Sequence, residues 1–245
     1  MNVSPDQAVA VVLAGGLGTR VSHLLPDVPK PMAPVNGRPF LEWVVRYLAR
    51  AGLRRVLLST GHMADAVARH FDAQPVSGIA VRCVPEPKPL GTAGGFLNAI
   101  AGCPEPPPPC WLVLNGDSLA LADLAPLFAS LAAPSVGGAI LGVRRAEASR
   151  YGTVVSDSEG WLAGFREKQP GPGIINAGVY LLRSSLIGEF PSQCPLSFER
   201  DIFPALTTGK HRLRVCVADA PFLDIGTPET LPQAAEFLRR NQQAF

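Results

Sequence analysis

The hydrophobic positions follow two rhythms. Residues 8–14, AVAVVLA, are a continuous apolar run rich in valine. Such a run predicts a strand buried on both faces, as parallel sheets require. In PFLEWVVRYLARAG (39–52), Leu41, Val44, Val45 and Leu48 recur at helical spacing, and Gly52 can terminate the helix. RVLLST (55–60), IAVRCV (79–84) and CWLVLN (110–115) read as further strands. MADAVARHF (63–71) and TAGGFLNAIAG (92–102) read as helices between them. This alternation predicts a doubly wound, mostly parallel, Rossmann-like α/β sheet with right-handed crossovers.

After residue 134 the pattern shifts toward strands. VGGAILGV, GTVVS, WLAGFRE and INAGVYLLR are strand-like, and DSEG (157–160) reads as a hairpin turn between two of them. SFERDIFPAL and PETLPQAAEFLRR read as helices and RLRVCVA (212–218) as a strand. One domain is expected over 1–245, with a nucleotide-type sheet to about 134 and a mixed lobe from 135 laid over the sheet's carboxyl edge. Ligands of open α/β sheets bind outside the carboxyl ends of the strands. PEPPPP (104–109) reads as a stiff surface connector.

The loop after the first strand is LAGGLGTR (13–20), and PKPM (29–32) follows. A dinucleotide fingerprint would need a third glycine where Val21 stands, and prolines 26, 29 and 31 prevent a regular helix after it. A Walker loop needs G-K-[ST], which is absent. What remains is a loop of backbone N–H groups around a triphosphate, with Arg20 and Lys30 brought in from one side. Small residues let amides approach phosphate oxygens closely. Pro29 and Pro31 restrict the backbone around Lys30 and so aim its ammonium.

LNGD (114–117) ends a buried strand and places Asp117 at its carboxyl end. Asp224, in FLDIGTP (222–228), follows another strand. Two such carboxylates suit a Mg²⁺ ion that also takes phosphate oxygens and waters. Other chemistries find no support: there is no G-x-S-x-G or H-E-x-x-H, and His23, His62, His70 and His211 lack metal-ligand spacing.

Composition narrows the setting. The 245 residues are 47% hydrophobic, enough for a sizeable core. The net charge is +2 and the basic residues are scattered, which argues against nucleic-acid binding. No apolar stretch approaches the roughly 20 residues that span a bilayer. Five cysteines, an odd number without C-x-x-C, fit free thiols in a reducing cytosol. No signal peptide is read at the N-terminus, so a cytoplasmic location is expected.

Taken together, LAGGLGTR, PKPM, PLGTAGG (89–95), LNGD, YGTV (151–154), REK (166–168), NAGVYLL (176–182) and FLDIGTP run in order through nearly the whole chain. The sequence thereby resembles the sugar-1-phosphate nucleotidylyltransferases. KPMAPVNGRPFLEW (30–43) and LSFERDIFP (196–204) make it most similar, within that family, to guanylyltransferases acting on D-glycero-D-manno-heptose 1-phosphate.

The resemblance implies transfer of a nucleoside monophosphate, GMP from GTP, to a sugar 1-phosphate. The products would be pyrophosphate and an NDP-sugar for capsule or lipopolysaccharide synthesis. It implies Arg20, Lys30, Asp117 and Asp224 as the catalytic set, the two aspartates holding Mg²⁺. The nucleotide would lie on Leu13, Ala14, Gly15, Gly16, Gly18, Thr19, Arg20, Glu86, Gly91 and Thr92. The sugar phosphate would lie on Asn115, Gly152, Glu167, Lys168, Asn176 and Ala177. In this reading Lys168 binds the phosphate and Glu167 a sugar hydroxyl, although neighbouring strand residues face opposite ways.

The base loop EPKPLGT (86–92) adds a distinction. Uridylyl- and thymidylyl-transferring relatives carry an amide at the position of Glu86. An ionised carboxylate only accepts hydrogen bonds, which suits the N1–H and N2–H₂ edge of guanine. The alternatives are mannose 1-phosphate as acceptor, a uridylyltransferase acting on another sugar, or a non-catalytic nucleotide-sugar-binding subunit. The last would have lost Arg20, Lys30, Asp117, Lys168 or Asp224, and all are present. The sugar, its anomer and the oligomeric state stay open, a homo-oligomer included.

Overall fold

The computed structural model describes residues 3–16, 18–167, 169–191, 193–207, 209 and 211–245. The first half runs β1 (Val9–Ala14), β2 (Pro34–Val35), β3 (Arg38–Pro39), α1 (Phe40–Arg50), β4 (Arg55–Thr60), α2 (Ala64–Ala73), β5 (Ala80–Pro85), α3 (Thr92–Ala101) and β6 (Cys110–Asn115). There follow β7 (Ser118–Ala120), α4 (Ala125–Ser130), β8 (Val136–Arg145), β9 (Gly152–Ser156), β10 (Leu162–Glu167) and β11 (Gly173–Arg183). The chain ends with α5 (Phe203–Thr207), β12 (Arg212–Ala218), β13 (Phe222–Asp224) and α6 (Ala234–Arg240).

β1 lies between β4 and β6, parallel to both, and β5 continues beyond β4. The chain therefore builds outward from β1 on one side and then returns to its other side. The strand order reverses beside β1, where open α/β sheets place their ligands. Ala14, Thr60, Pro85 and Asn115 all end their strands on that edge. The alternation of side chains explains why the run at 8–14 is apolar throughout. Ala8, Ala10, Val12 and Ala14 join the core that contains α1, whereas Val9 and Val11 join the core beneath α3.

The second half is not a layer over the carboxyl edge. β11 pairs antiparallel with β6, and β8 with β11, so these strands extend the same sheet. The β9–β10 hairpin and β12 complete a nine-stranded mixed sheet. A bulge in β11 between Asn176 and Tyr180 interrupts its pairing with β8 close to the carboxyl edge.

Three expectations change in detail. The 228–240 helix is limited to Ala234–Arg240, because Pro232 lies in a separate turn over Leu231–Gln233. SFERDIFPAL is a wide π turn over Phe198–Ile202 that runs into α5. Asp224 ends β13, which pairs with β7 in a two-stranded antiparallel ribbon outside the main sheet. The connector at 104–109 is irregular and mostly exposed, as expected. All five cysteines are free, and no helix among the described residues is long and apolar enough to cross a membrane.

Candidate active site

Two cavities open at the carboxyl edge beside β1. The smaller, about 320 Å³, is walled by Leu13, Ala14, Gly15 and Gly16 after β1, and by Glu86, Pro89, Leu90, Gly91 and Thr92 ahead of α3. The larger, about 590 Å³, takes Gly18, Thr19 and Arg20 from the same glycine loop, Asn176 and Ala177 from β11, and Asp224 with Gly226 and Thr227 beyond β13. Lys30, Asn115 and Asp117 line both. The glycine loop thus straddles two sites that meet along one strip.

Lys30 reaches the strip from a tight turn, Lys30–Met32, whose Pro31 and Met32 are buried. Its ammonium pairs with Asp117 Oδ2, and the Lys30 side chain is only 15% exposed. Gly18 crosses directly over it with φ +60°, and a Cβ there would come 2.8 Å from Lys30 Cβ. The glycine is required on both counts: left-handed backbone and close approach. Prolines and glycine therefore fix one charge between the cavities.

Asp117 and Asp224 meet because β7 and β13 pair in register Ser118 to Asp224, and Ile225 N–H donates to the Asp117 carbonyl at 2.9 Å. Asp224 is held by Tyr151, whose hydroxyl donates to Oδ2 at 2.7 Å, and by Gly226 N–H, which donates to Oδ1 at 3.0 Å. Burial, reinforced by the hydrogen bond and charge of Asp224, pushes the Tyr151 phenol up to about 12, so it remains a donor. Arg150 adds a guanidinium 3.7 Å from Asp224 Oδ2. Among the described residues no group of three or more His, Cys, Asp or Glu could hold a metal alone. Two aspartates with oxygen donors only fit Mg²⁺, which usually keeps waters and takes substrate phosphates.

Glu86 is not a loose surface charge. Ser59 Oγ lies 2.9 Å from Oε1, and Leu90 N–H donates to Oε2 at 3.3 Å. Its carboxylate lies against the backbone of Gly15, where a Cβ would come 2.2 Å from Oε1. Ser59, fully buried, is also 3.0 Å from the Gly95 carbonyl, so its single proton has two possible acceptors.

Most of the residues expected to bind ligand are therefore brought together. Gly152 and Glu167 are not: they pair at the end of the β9–β10 hairpin and line neither cavity. Lys168 lies outside the described residues. Arg150, Tyr151 and Thr227 were missed as lining residues. The signals for them were Tyr151, the first residue of YGTV, with Arg150 just before it, and Thr227 within FLDIGTP. Both motifs were in view, but these side chains had no assigned role until the fold brings them to the cavity that holds Asp224.

Comparison with known proteins gives the family. The Nucleotidyl transferase family profile matches residues 9–241. A D-glycero-alpha-D-manno-heptose 1-phosphate guanylyltransferase of Campylobacter jejuni is 34% identical over 90% of this chain and 95% of its own. A mannose-1-phosphate guanylyltransferase of Mycobacterium tuberculosis is 35% identical over 97% of this chain but 66% of its own. The crystal structure of HddC from Yersinia pseudotuberculosis complexed with GMP-PN superposes with a TM-score of 0.81, at 32% identity, over 94% of this chain and 98% of that one. The chain belongs to the nucleotidyl transferase family.

Proposed function

We propose that this chain is a sugar-1-phosphate guanylyltransferase that transfers GMP from GTP to D-glycero-α-D-manno-heptose 1-phosphate and releases pyrophosphate. The observation that carries the reading is the strip of Lys30, Asn115 and Asp117 shared by the two cavities. A nucleotide in the smaller cavity and a sugar phosphate in the larger would meet there. The reaction joins two phosphates, so the reacting atoms belong at such a seam. The heptose assignment draws on the similarity to the Campylobacter enzyme. The similarity to the Mycobacterium enzyme makes mannose 1-phosphate the competing acceptor.

The attacking sugar-phosphate oxygen is already ionised at neutral pH, so no general base is needed. Catalysis then consists of positioning and charge neutralisation. Lys30 offsets the charge that grows on the α-phosphate. Arg20, exposed on the glycine loop, holds the β- and γ-phosphates as pyrophosphate departs. Asp117 and Asp224 would hold Mg²⁺, with Tyr151 and Gly226 fixing the Asp224 carboxylate. The ion supplies Lewis-acid polarisation of phosphate oxygens when bound. Lys168 is assigned to the sugar phosphate by resemblance. We place the enzyme in the cytoplasm, in a route to cell-surface polysaccharide.

A pyrophosphate-release screen of four nucleoside triphosphates against a panel of sugar 1-phosphates tests the reading. GTP with the heptose 1-phosphate should give the highest kcat/KM. UTP with a hexose 1-phosphate as the best pair would overturn it.

A further inference from the structure

A polar chain runs beneath the site from one cavity to the other. Thr92 Oγ1, on the wall of the nucleotide cavity, donates to Glu199 Oε2 at 3.2 Å. Ser197 Oγ donates to the same oxygen at 2.9 Å, and Tyr180 OH donates to Oε1 at 3.0 Å. Asn176 Nδ2 donates to the Tyr180 oxygen at 2.9 Å, and Asn176 Oδ1 accepts from Gly178 N–H at 3.0 Å. Asn176 lines the larger cavity.

The polarity of this chain is fixed from one end. Three hydroxyls converge on Glu199, as an acceptor-only carboxylate demands. The one Tyr180 proton is thereby committed to Glu199, and its oxygen is left to accept. That choice, with Gly178 N–H, sets which end of the Asn176 amide is nitrogen. One Nδ2–H and one Oδ1 lone pair of Asn176 remain for a ligand, a pattern complementary to a pair of sugar hydroxyls. Tyr180 cannot relax toward water, because it is fully buried against Phe198 and Phe203. At the other end, Phe198 N–H donates to Thr92 Oγ1 at 3.0 Å, and the Leu196 carbonyl accepts from Ala93 and Gly94 N–H at 2.9 and 3.1 Å. The segment that carries Glu199 therefore also clasps the start of α3, where the base loop ends.

We propose that Tyr180 and Glu199 are positioning residues: they hold the Asn176 amide in the orientation that reads sugar hydroxyls, and through Thr92 they tie that orientation to the nucleotide wall. This rests on the sugar-phosphate assignment of the larger cavity. The wild type is first assayed for turnover with its best sugar 1-phosphate. A failure there counts against the assignment and is distinct from any effect of the variants.

Tyr180→Phe keeps the ring and removes only the hydroxyl. It should raise the KM for sugar 1-phosphate about ten-fold, the scale of one net hydrogen bond, with the KM for the triphosphate within two-fold. Thr92→Val, a change in the nucleotide wall, should also raise the sugar-phosphate KM, and the double variant should be less than additive. Glu199→Gln, which keeps the shape but offers one acceptor oxygen, should reproduce the selective rise if Tyr180→Phe does not fold. An equal rise in both KM values, an unchanged sugar-phosphate KM, or additive effects of Thr92→Val and Tyr180→Phe would overturn the proposal.

Discussion

Lys30 and Asp117 stand 87 residues apart in sequence and form an ion pair on the strip shared by both cavities. The pairing is tertiary: the turn after the glycine loop supplies one partner and the turn between β6 and β7 the other. In the free enzyme the ammonium is held close to where α-phosphate and sugar phosphate would meet. Little reorganisation is then needed when charge develops, the condition under which a fixed cation helps most. Lys30→Ala should lower kcat by at least about 10²-fold, the scale of losing one preorganised donor. Steady-state pyrophosphate release checks this. A kcat within a few-fold of wild type would remove Lys30 from catalysis.

The two aspartates give a second expectation. Asp117→Asn and Asp224→Asn should each abolish turnover and leave the melting temperature near that of wild type, because both side chains face the cavity. EDTA should silence the wild type and added Mg²⁺ should restore it. Full turnover in EDTA would show that the carboxylates serve another purpose.

The main strands and the glycine loop were legible because their signals are local. A buried central strand must be apolar on both faces, and Val9–Ala14 is. The meeting of Asp117 with Asp224 was legible only as two strand ends. The β7–β13 ribbon that joins them has three residues per strand, too few for a periodic pattern. The Thr92–Glu199–Tyr180–Asn176 chain was not legible as a connection. Each residue lies in a segment with its own local pattern, but the hydrogen bonds between the start of α3, a π turn and a bulged strand exist only in the tertiary fold. Gly152 and Glu167 show the reverse. Their motifs stood out, yet strand register pairs them with each other at the end of the β9–β10 hairpin, and neither lines a cavity although Tyr151, next to Gly152, does.

A buried carboxylate outside the site yields a pH prediction. Glu42 is 1% exposed, and Arg38, Arg46 and His70 surround it at 2.6, 2.8 and 2.9 Å. Burial alone would raise its pKa, but hydrogen bonds from Arg46, Arg38 and His70 outweigh burial and hold it below the ordinary 4.5. A depressed folded-state pKa stabilises the fold fully above the unfolded value, and that stability is lost as pH falls through the folded value. Glu42→Gln should cost about 2 kcal/mol at pH 7, less than a fully buried pair because the arginines reach solvent. Denaturant titrations across pH should show the gap to wild type intact down to about pH 5 and closing in more acid. A gap that widened below pH 4 would contradict the assignment.

Base choice gives the sharpest expectation, because the structure shows how Glu86→Gln can be accommodated. In the wild type, Glu86 accepts from Ser59 and from Leu90 N–H, which leaves lone pairs as its only remaining polar capacity toward the cavity. Guanine offers two adjacent donors to such a surface, whereas uracil would bring a carbonyl oxygen. In the variant, the amide oxygen can keep Leu90 N–H, and the nitrogen can donate to Ser59 Oγ. Ser59 then turns its proton to the Gly95 carbonyl, already 3.0 Å away. The fold is undisturbed, and the second hydrogen of the amide nitrogen now takes the place of an acceptor in the wall. A charge-assisted hydrogen bond is worth roughly 1.5–3 kcal/mol, so kcat/KM with GTP should fall by tens- to hundreds-fold. Activity with UTP should hold or rise, and the GTP:UTP ratio of kcat/KM should collapse accordingly. An unchanged ratio in a folded variant would move guanine recognition from this side chain to the backbone of the same loop.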